Sequence, residues 1–229
     1  MCDYVYINWS VSAHVYTMPK VIAFTSPKGG AGKTTLAAHL GHCLQERGHS
    51  VLLIDADPQG SLLSWAEETD GSYPSVIGLH QPKQLAREAE TMGVNYDYVV
   101  IDSQGSLGEM IPAALKVADL VLIPIQASAL DVWANSDLVD LIQARQEITD
   151  GRPTAAFVIN RLKPNTRLSR ELRDAVGEYG LEILDGAVHD RIAFAESISN
   201  GATVLNQSGP ARQDIEKVTD QVVEAFDGS

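Results

Sequence analysis

Short runs of apolar residues alternate along this chain with segments of helical length. Leucines recur four residues apart over residues 34–47 and Gly48 follows, which predicts a helix that ends at this glycine. A further helix is predicted around residues 83–92. The apolar runs predict buried strands, and they are residues 20–26 (KVIAFTS), 51–55 (VLLID), 98–102 (YVVID), 120–125 (LVLIPI) and 154–160 (TAAFVIN). Buried strands that alternate with helices are typical of a mostly parallel central sheet flanked by helices on both faces, so the predicted fold class is α/β.

The alternation continues without a repeat, a linker or a low-complexity tract. Residues 18–229 are therefore predicted to form a single domain, and a chain that is 45% hydrophobic can fill its core. Residues 1–17 contain no lysine or arginine and precede a natural domain start at Met18. We expect them to be a dispensable extension. The alternative is an added edge strand, because Tyr4, Tyr6 and Val11 suit one.

Composition narrows the class of protein. The formal net charge of −13 argues against a surface that is basic throughout, but it leaves room for a local basic patch. The two cysteines, Cys2 and Cys43, form neither a disulfide framework nor a C-x-x-C metal pair, which favours the reducing cytoplasm. No apolar run reaches the roughly 18 residues that a bilayer-spanning helix needs.

A glycine-rich bend with two lysines, SPKGGAGKTT at residues 26–35, follows the first predicted strand. A strand, a glycine turn and a helix form the setting in which backbone N–H groups and a helix N-terminus bind phosphates. Lys33 is expected to reach the β- and γ-phosphate oxygens, and the Thr34 hydroxyl is expected to bind Mg²⁺. The generic pattern G-x-x-x-x-G-K-[ST] fails by one residue, because Pro27 replaces its first glycine and the glycines follow Lys28 directly. An ordinary glycine turn is the alternative.

The segment KGGAGKTT resembles the deviant Walker A motif of the ParA/MinD family of P-loop ATPases. The resemblance continues through VLLIDADPQGS and YDYVVIDSQGS, and more weakly to VINR and AESISNGATV, so that it covers most of residues 19–205. It implies a P-loop NTPase fold that binds ATP and Mg²⁺. It also implies that Lys28 reaches across an ATP-dependent homodimer to the phosphates held by the other subunit. A solvated loop lysine is the alternative. The nucleotide-binding residues implied in this loop are Lys28, Gly29, Gly30, Ala31, Gly32, Lys33, Thr34 and Thr35.

Polar side chains follow three of the predicted strands at their carboxyl ends, where ligands of open α/β sheets bind. Asp55 is expected near Mg²⁺ and Lys33. The resemblance implies that Asp57 orients the water that attacks the terminal phosphate. The alternative is that Asp57 only forms an Asp-Pro turn. Asp102 ends YVVID in the manner of a Walker B strand and is expected to meet Mg²⁺ through water. Asn160 matches a family asparagine that reads the adenine edge, and a turn asparagine is the alternative.

Basic residues concentrate on one predicted helix, over residues 166–179. Its apolar face would consist of Leu168, Leu172, Ala175 and Val176. The opposite face would carry Arg167, Arg170 and Arg173. In an acidic protein this stripe is the candidate surface for non-specific DNA contact. A solvated helix face is the alternative, because Glu171, Asp174 and Glu178 dilute the positive charge.

The C-terminal segment DIEKVTDQVVEAFDGS separates two branches of the family. Ile215, Val218, Val222 and Ala225 would share one helix face, and the other face is largely acidic. Anionic lipid repels such a surface, so we expect a helix that packs on the core and no binding to membranes.

Taken together, the resemblance implies a ParA-type ATPase. Such a protein hydrolyses ATP slowly to ADP and phosphate, under stimulation by a ParB-like or cargo-adaptor partner. Its ATP-bound dimer holds non-specific DNA and positions plasmid, chromosome or protein-assembly cargo, in the cytoplasm and on the nucleoid. The alternatives are a MinD-like membrane-positioning ATPase and a metabolic P-loop synthetase that uses ATP.

Overall fold

The computed structural model describes residues 18–163 and 170–227. One seven-stranded sheet runs through this part of the chain in the order β3-β2-β4-β1-β5-β6-β7, and its neighbouring strands pair in parallel. The strands are β1 (Lys20–Phe24), β2 (Val51–Ala56), β3 (Ser75–Gly78), β4 (Tyr98–Ser103), β5 (Leu120–Ile125), β6 (Thr154–Ile159) and β7 (Glu182–Ile183). The predicted α/β class with a parallel sheet is confirmed.

Helices connect the strands and cover both faces of the sheet. They are α1 (Lys33–Glu46), α2 (Ser61–Glu67), α3 (Pro82–Gly93), α4 (Met110–Val117), α5 (Ala129–Trp133), α6 (Ser136–Glu147), α7 (Arg170–Glu178), α8 (Ile192–Ser199) and α9 (Pro210–Asp227). A 3₁₀ turn at Val204–Asn206 precedes α9. The predicted helices over 34–47 and 83–92 are confirmed as α1 and α3, and Gly48 follows α1 with the left-handed φ of 90° that ends helices.

All five predicted strands are present, with small changes at their ends. The first was predicted over residues 20–26, but β1 ends at Phe24 because the chain there turns into the glycine-rich loop. The edge strands β3 and β7 were not predicted. The residues of β3 are only partly buried, and β7 is two residues long, so neither carries a strong apolar run.

The core has two layers because successive residues of a strand face opposite sides of the sheet. In β1, Val21 and Ala23 face the layer under α3, α4 and α6, whereas Ile22 and Phe24 face the layer under α1 and α9. Both layers are fully buried along the central strands, which explains why these strands read as continuous apolar runs.

The C-terminal helix α9 packs against the core, as predicted. Ile215, Val218 and Val222 are buried in the layer that also holds the leucines of α1. Ala225 was expected on this face but lies exposed, and Phe226 packs against the core beside it. Among the described residues, no helix is both long and apolar enough to span a bilayer.

The topology gathers the polar residues of the motifs at one edge of the sheet. β1 lies between β4 and β5, so the chain leaves β1 on one side for β2 and later crosses it to form β5. This reversal opens a crevice at the carboxyl ends of the strands, where open α/β sheets bind ligands. Asp102 pairs in register with Phe24 on one side and with Asp55 on the other. The glycine-rich loop, Asp55 and Asp102 therefore meet at this crevice.

Candidate nucleotide site at the carboxyl edge of the sheet

The glycine-rich loop connects β1 to α1 and requires glycine at two positions. Gly30 and Gly32 have φ angles of 73° and 100°, a region that side chains disfavour. Gly32 is also limited by space, because a Cβ there would fall 2.1 Å from Asn160 Nδ2. The loop thus turns tightly and exposes backbone N–H groups at the start of α1, which is the geometry of an anion site.

Lys33 places a buried positive charge inside this loop. Its side chain is among the buried charged groups, with a relative exposure of 7%, and Nζ donates to the Ser26 carbonyl over 3.4 Å. Burial lowers the pKa of the Lys33 ammonium, and the charges of Asp102 and Asp57 partly offset this effect. A buried ammonium that makes one long hydrogen bond to a neutral carbonyl is poorly compensated. A bound anion would compensate it.

Thr34 and Asp102 form the part of the site that suits a divalent cation. Thr34 Oγ1 donates to Asp102 Oδ2 over 2.6 Å, and Asp102 Oδ1 is buried without a partner among the described residues. Burial raises the pKa of Asp102 to about 7, although the Thr34 hydrogen bond opposes the rise and the Asp55 charge adds to it. Mg²⁺ in nucleotide sites takes one or two protein oxygens together with phosphate and water oxygens. An unpaired carboxylate oxygen beside a hydroxyl meets that requirement.

Asp55 lies beside Asp102 in the sheet register and is fully buried. Its Oδ2 accepts the N–H groups of Leu62 and Leu63, both over 2.9 Å, and its Oδ1 accepts the N–H of Asp57 over 3.0 Å. These bonds satisfy two of the free N–H groups in the first turn of α2 and fix the loop between β2 and α2. The predicted metal role of Asp55 stays a prediction, and the structure adds a role in shaping the Asp57 loop.

Asp57 begins a tight turn in that loop. Its Oδ1 accepts the Gln59 N–H over 3.0 Å, and its carbonyl accepts the Gly60 N–H over 2.9 Å. The Asp-Pro turn that was the alternative reading is therefore present. The carboxylate also lies close enough to Lys33 to oppose the fall in its pKa. The assignment of Asp57 to the attacking water stays a prediction.

Lys28 is tied to its own chain by an ion pair. Its Nζ lies 2.8 Å from Oδ1 of Asp131 in α5, and its side chain remains 44% exposed. Asp131 is itself fixed, since Oδ2 accepts the Gln126 N–H over 3.0 Å and its carbonyl accepts Asn135 Nδ2 over 2.7 Å. Lys28 is thus neither buried like Lys33 nor freely solvated. Nothing in the sequence pattern indicated Asp131, because it lies in a five-residue helix about a hundred positions away.

Asn160 braces the glycine-rich loop from the end of β6. Its Nδ2 donates to the Ala31 carbonyl over 2.8 Å, and its Oδ1 accepts the Arg161 N–H over 2.9 Å. Beside it opens a cavity of about 510 Å³. The cavity is lined by Gly32 and Thr35 of the loop, by Asn160 and its neighbours, and by the segment that enters α8. Reading of adenine by Asn160 stays a prediction, and the cavity lies where the base was expected.

The predicted basic helix is only partly described. Arg167 and Leu168 lie outside the described residues, and Arg170 and Arg173 belong to α7. The apolar face of α7 is confirmed, since Leu172, Ala175 and Val176 are buried. DNA contact by the arginines stays a prediction.

Comparison with known proteins identifies the family of this chain. The model of the CobQ/CobB/MinD/ParA nucleotide binding domain matches residues 22–204, which is most of the chain. The chain belongs to the ParA/MinD family.

Relatives within the ParA/MinD family align along 80% or more of the chain. The chain is 30% identical over 211 residues to the maintenance of carboxysome distribution protein A of Halothiobacillus neapolitanus, which covers 88% of this chain and 95% of the relative. It is 30% identical over 190 residues to the protein ParA of Rhizobium radiobacter, over 80% of this chain and 84% of the relative. The solved ATP complex of a Cyanothece McdA variant shares the fold, with a TM-score of 0.72 and 19% identity over 92% of this chain and 97% of that chain.

Proposed function

We propose that this chain is a ParA-type ATPase. It binds ATP with Mg²⁺ and forms a dimer with a second copy of itself. The dimer binds DNA without sequence preference and releases the DNA when a partner protein stimulates hydrolysis of ATP. The observation that carries the proposal is the contrast between the two lysines of one loop. Lys33 is buried within the loop, whereas Lys28 lies at its outer surface beside Asp131.

Binding of ATP phosphates is supported by the charge and shape of the glycine-rich loop. Lys33 supplies a buried ammonium, and the glycines expose N–H groups at the start of α1. Both favour negatively charged oxygens, because a helix N-terminus carries a partial positive charge. The relative from Cyanothece, which shares the fold, was solved with ATP.

Thr34 and Asp102 are the residues that would hold Mg²⁺. Thr34 offers its hydroxyl and Asp102 offers the buried Oδ1 that has no described partner. When bound, Mg²⁺ supplies positive charge that neutralises phosphate oxygens during phosphoryl transfer. Ionisation of Asp102 is then favoured, because a neighbouring cation stabilises the carboxylate.

Asp57 is the residue that we assign to hydrolysis. It lies on the loop that Asp55 fixes, and its carboxylate is partly buried near Lys33. A carboxylate in this position can accept a hydrogen bond from water and orient it toward the terminal phosphate. We expect the isolated chain to hydrolyse ATP slowly and a ParB-like or cargo-adaptor partner to accelerate the hydrolysis.

Lys28 is the residue that we assign to the dimer. Its ammonium is 44% exposed, so it can reach a phosphate held by a second copy that approaches this face. Positive charge added from outside stabilises the transition state of phosphoryl transfer. Dimer formation and nucleotide binding would then depend on one another.

DNA binding and cargo positioning complete the proposed cycle. Arg170 and Arg173 belong to α7, with Arg167 preceding it, and a dimer would double any basic surface that they form. The proposed cargo is a plasmid, a chromosome or a protein assembly, handled in the cytoplasm and on the nucleoid. The relative from Halothiobacillus neapolitanus, whose name refers to carboxysome distribution, supports the protein assembly. Membrane positioning is the less favoured alternative, since Ile215, Val218 and Val222 of α9 are buried in the core and not available to lipid.

The test compares the wild type with Asp57→Ala in ATP and Mg²⁺. We expect the variant to bind ATP and dimerise normally but to lose turnover by at least about a hundredfold, which is the lower end of the effect of removing a positioned acceptor for the proton of the reacting water. It should therefore accumulate on non-specific DNA. The measurements are phosphate release, mass in solution and retention on DNA at increasing salt.

Asp70→Ala is the matched control. Asp70 caps a turn in the same manner, with Oδ1 accepting the Ser72 N–H over 3.1 Å, but it is not among the carboxylates whose charge acts on Lys33. This variant should behave as the wild type. Normal turnover by Asp57→Ala would remove that residue from its role. A wild type that turns over ATP rapidly as a monomer without DNA would favour the synthetase alternative.

A further inference from the structure

A buried carboxylate in α9 has no part in the chemistry described so far. Asp214 is only 5% exposed, although most acidic residues of α9 face outward. Its Oδ1 lies 3.0 Å from His189 Nδ1, and its Oδ2 accepts the His189 N–H over 3.1 Å and the Arg191 Nε–H over 3.0 Å. Burial of a carboxylate is costly unless its hydrogen bonds are made, and here three donors converge on one side chain.

The three bonds fix the chain segment between β7 and α8. His189 forms a parallel bridge with Leu162, just beyond β6, where the Leu162 N–H donates to Val188 and the Asp190 N–H donates to Leu162. Arg191 is the residue that precedes α8. The segment is thus held on one side by the extension of β6 and on the other by Asp214.

The same segment forms a wall of the 510 Å³ cavity. His189 and Arg191 line it together with Gly32 and Thr35 of the glycine-rich loop. A nucleotide with its phosphates on the loop therefore directs its sugar and base into this cavity, whose volume is in the usual range for small-molecule sites. The phosphate end depends on Lys33 and the loop, whereas the base end depends on a wall that Asp214 holds from behind.

We infer that Asp214 is a positioning residue for the base end of the nucleotide site. It clamps His189 and Arg191 in the orientation that the base meets, and so it preorganises that wall. This inference rests on the proposed binding of ATP. Without the clamp both side chains gain rotational freedom, and ordering them again costs affinity on binding. None of the three bonds of Asp214 goes to the phosphate-binding loop, so phosphate binding itself should be spared.

The experiment compares the full-length wild type with Asp214→Asn and measures two dissociation constants by calorimetry. One ligand is Mg²⁺-ATP, which engages both ends of the site. The other is Mg²⁺-tripolyphosphate, which engages the loop alone. We expect Asp214→Asn to weaken ATP binding about tenfold and to change tripolyphosphate binding less than about twofold, because a lost charged hydrogen bond costs that much. A general loss of stability would weaken the binding of both ligands alike, and a purely electrostatic effect would strengthen the binding of both.

Asp220→Asn is the matched control, because Asp220 lies on the same helix but pairs with Arg47 at the surface, over 2.7 Å. It should bind both ligands as the wild type does. If Asp214→Asn does not fold, Asp214→Glu keeps the charge and displaces the clamp by one methylene group, with an expected loss of about threefold for ATP alone. A folded variant with an unchanged ratio of the two constants overturns the inference. A wild type that binds neither ligand overturns the proposed nucleotide binding and this inference with it.

Discussion

The two lysines of the glycine-rich loop lie five positions apart and differ in almost every physical respect. Lys33 is buried and makes one long bond to a backbone carbonyl. Lys28 is half-exposed and paired with a carboxylate at 2.8 Å. Among the described residues the buried lysine makes no direct ion pair, although Asp102 and Asp57 lie near it, whereas the exposed lysine makes one.

In the proposed dimer, this difference would let one loop serve two nucleotides. An undercompensated buried ammonium is prepared for a ligand of its own chain, because binding relieves its desolvation. A surface ammonium in an ion pair can exchange one anion for another at little cost, because exposed pairs contribute at most about 1 kcal/mol. In the proposed dimer, Lys28 would therefore turn from Asp131 to the phosphate of a second copy.

The largest expected effect concerns the carboxylate at the Lys33 end. Burial raises the pKa of Asp102 in the folded chain from its ordinary value of 3.8 to about 7, so the protonated carboxyl stabilises the metal-free fold. This stabilisation is complete below pH 4 and is lost as the pH rises to about 7. Between pH 5 and pH 8 the metal-free wild type should lose about 3 kcal/mol relative to Asp102→Asn. Urea unfolding in the presence of a chelator measures the free energy of unfolding of both proteins at each pH. If the two free energies change in parallel with pH, burial does not raise the pKa of Asp102.

The second expected effect separates the two lysines directly. Lys28→Ala should bind ATP within about twofold of the wild type but need roughly thirtyfold more protein to dimerise. The dimer would lose two charged hydrogen bonds, each partly offset because Lys28 no longer has to leave its ion pair with Asp131. Lys33→Ala should fail already at ATP binding. Analytical ultracentrifugation with and without ATP distinguishes the two.

Lys83→Ala supplies the control for this pair, because Lys83 is an exposed lysine of α3. It should change neither binding nor assembly. If Lys28→Ala dimerises at the same protein concentration as the wild type, Lys28 does not have the proposed role in the dimer.

The smallest expected effect comes from the partner of Lys28. Asp131→Asn keeps an oxygen for the Gln126 N–H but removes the charge that holds the ammonium. The freed lysine should favour the dimer by about threefold, since an exposed ion pair is weak. The dimer dissociation constant in ATP measures this, with Asp227→Asn as control because Asp227 pairs with Lys20 at the opposite end of β1. A weaker dimer would mean that Asp131 directs Lys28 toward its target instead of retaining it.

The fold could be predicted largely from sequence because its central strands are buried on both faces. Such strands carry continuous apolar runs, and the helices between them repeat leucines at helical spacing. The edge strands β3 and β7 escaped prediction for the opposite reason, since their burial is incomplete and their lengths are small.

The site could be predicted only where its residues stand in a local motif. Lys33, Thr34 and Asp102 follow from the loop and from the strand that ends beside it. Asp131 and Asp214 could not be found in this way, because each acts on a residue many positions away and stands in an ordinary helix. The roles of Asp55 and Asn160 in bracing the loops depend on hydrogen bonds between their side chains and distant backbone groups, which no spacing in the sequence encodes.

The fluorescence of Trp133 can report on the surface around Lys28. It lies two residues beyond Asp131 and is 47% exposed, whereas Trp65 is buried at 3%. Indole fluorescence shifts to shorter wavelength when water leaves the ring. In a Trp9→Phe variant, light emitted by Trp133 should therefore report whether a second molecule has covered this face, with no dye attached to the chain and with Trp65 as a steady background.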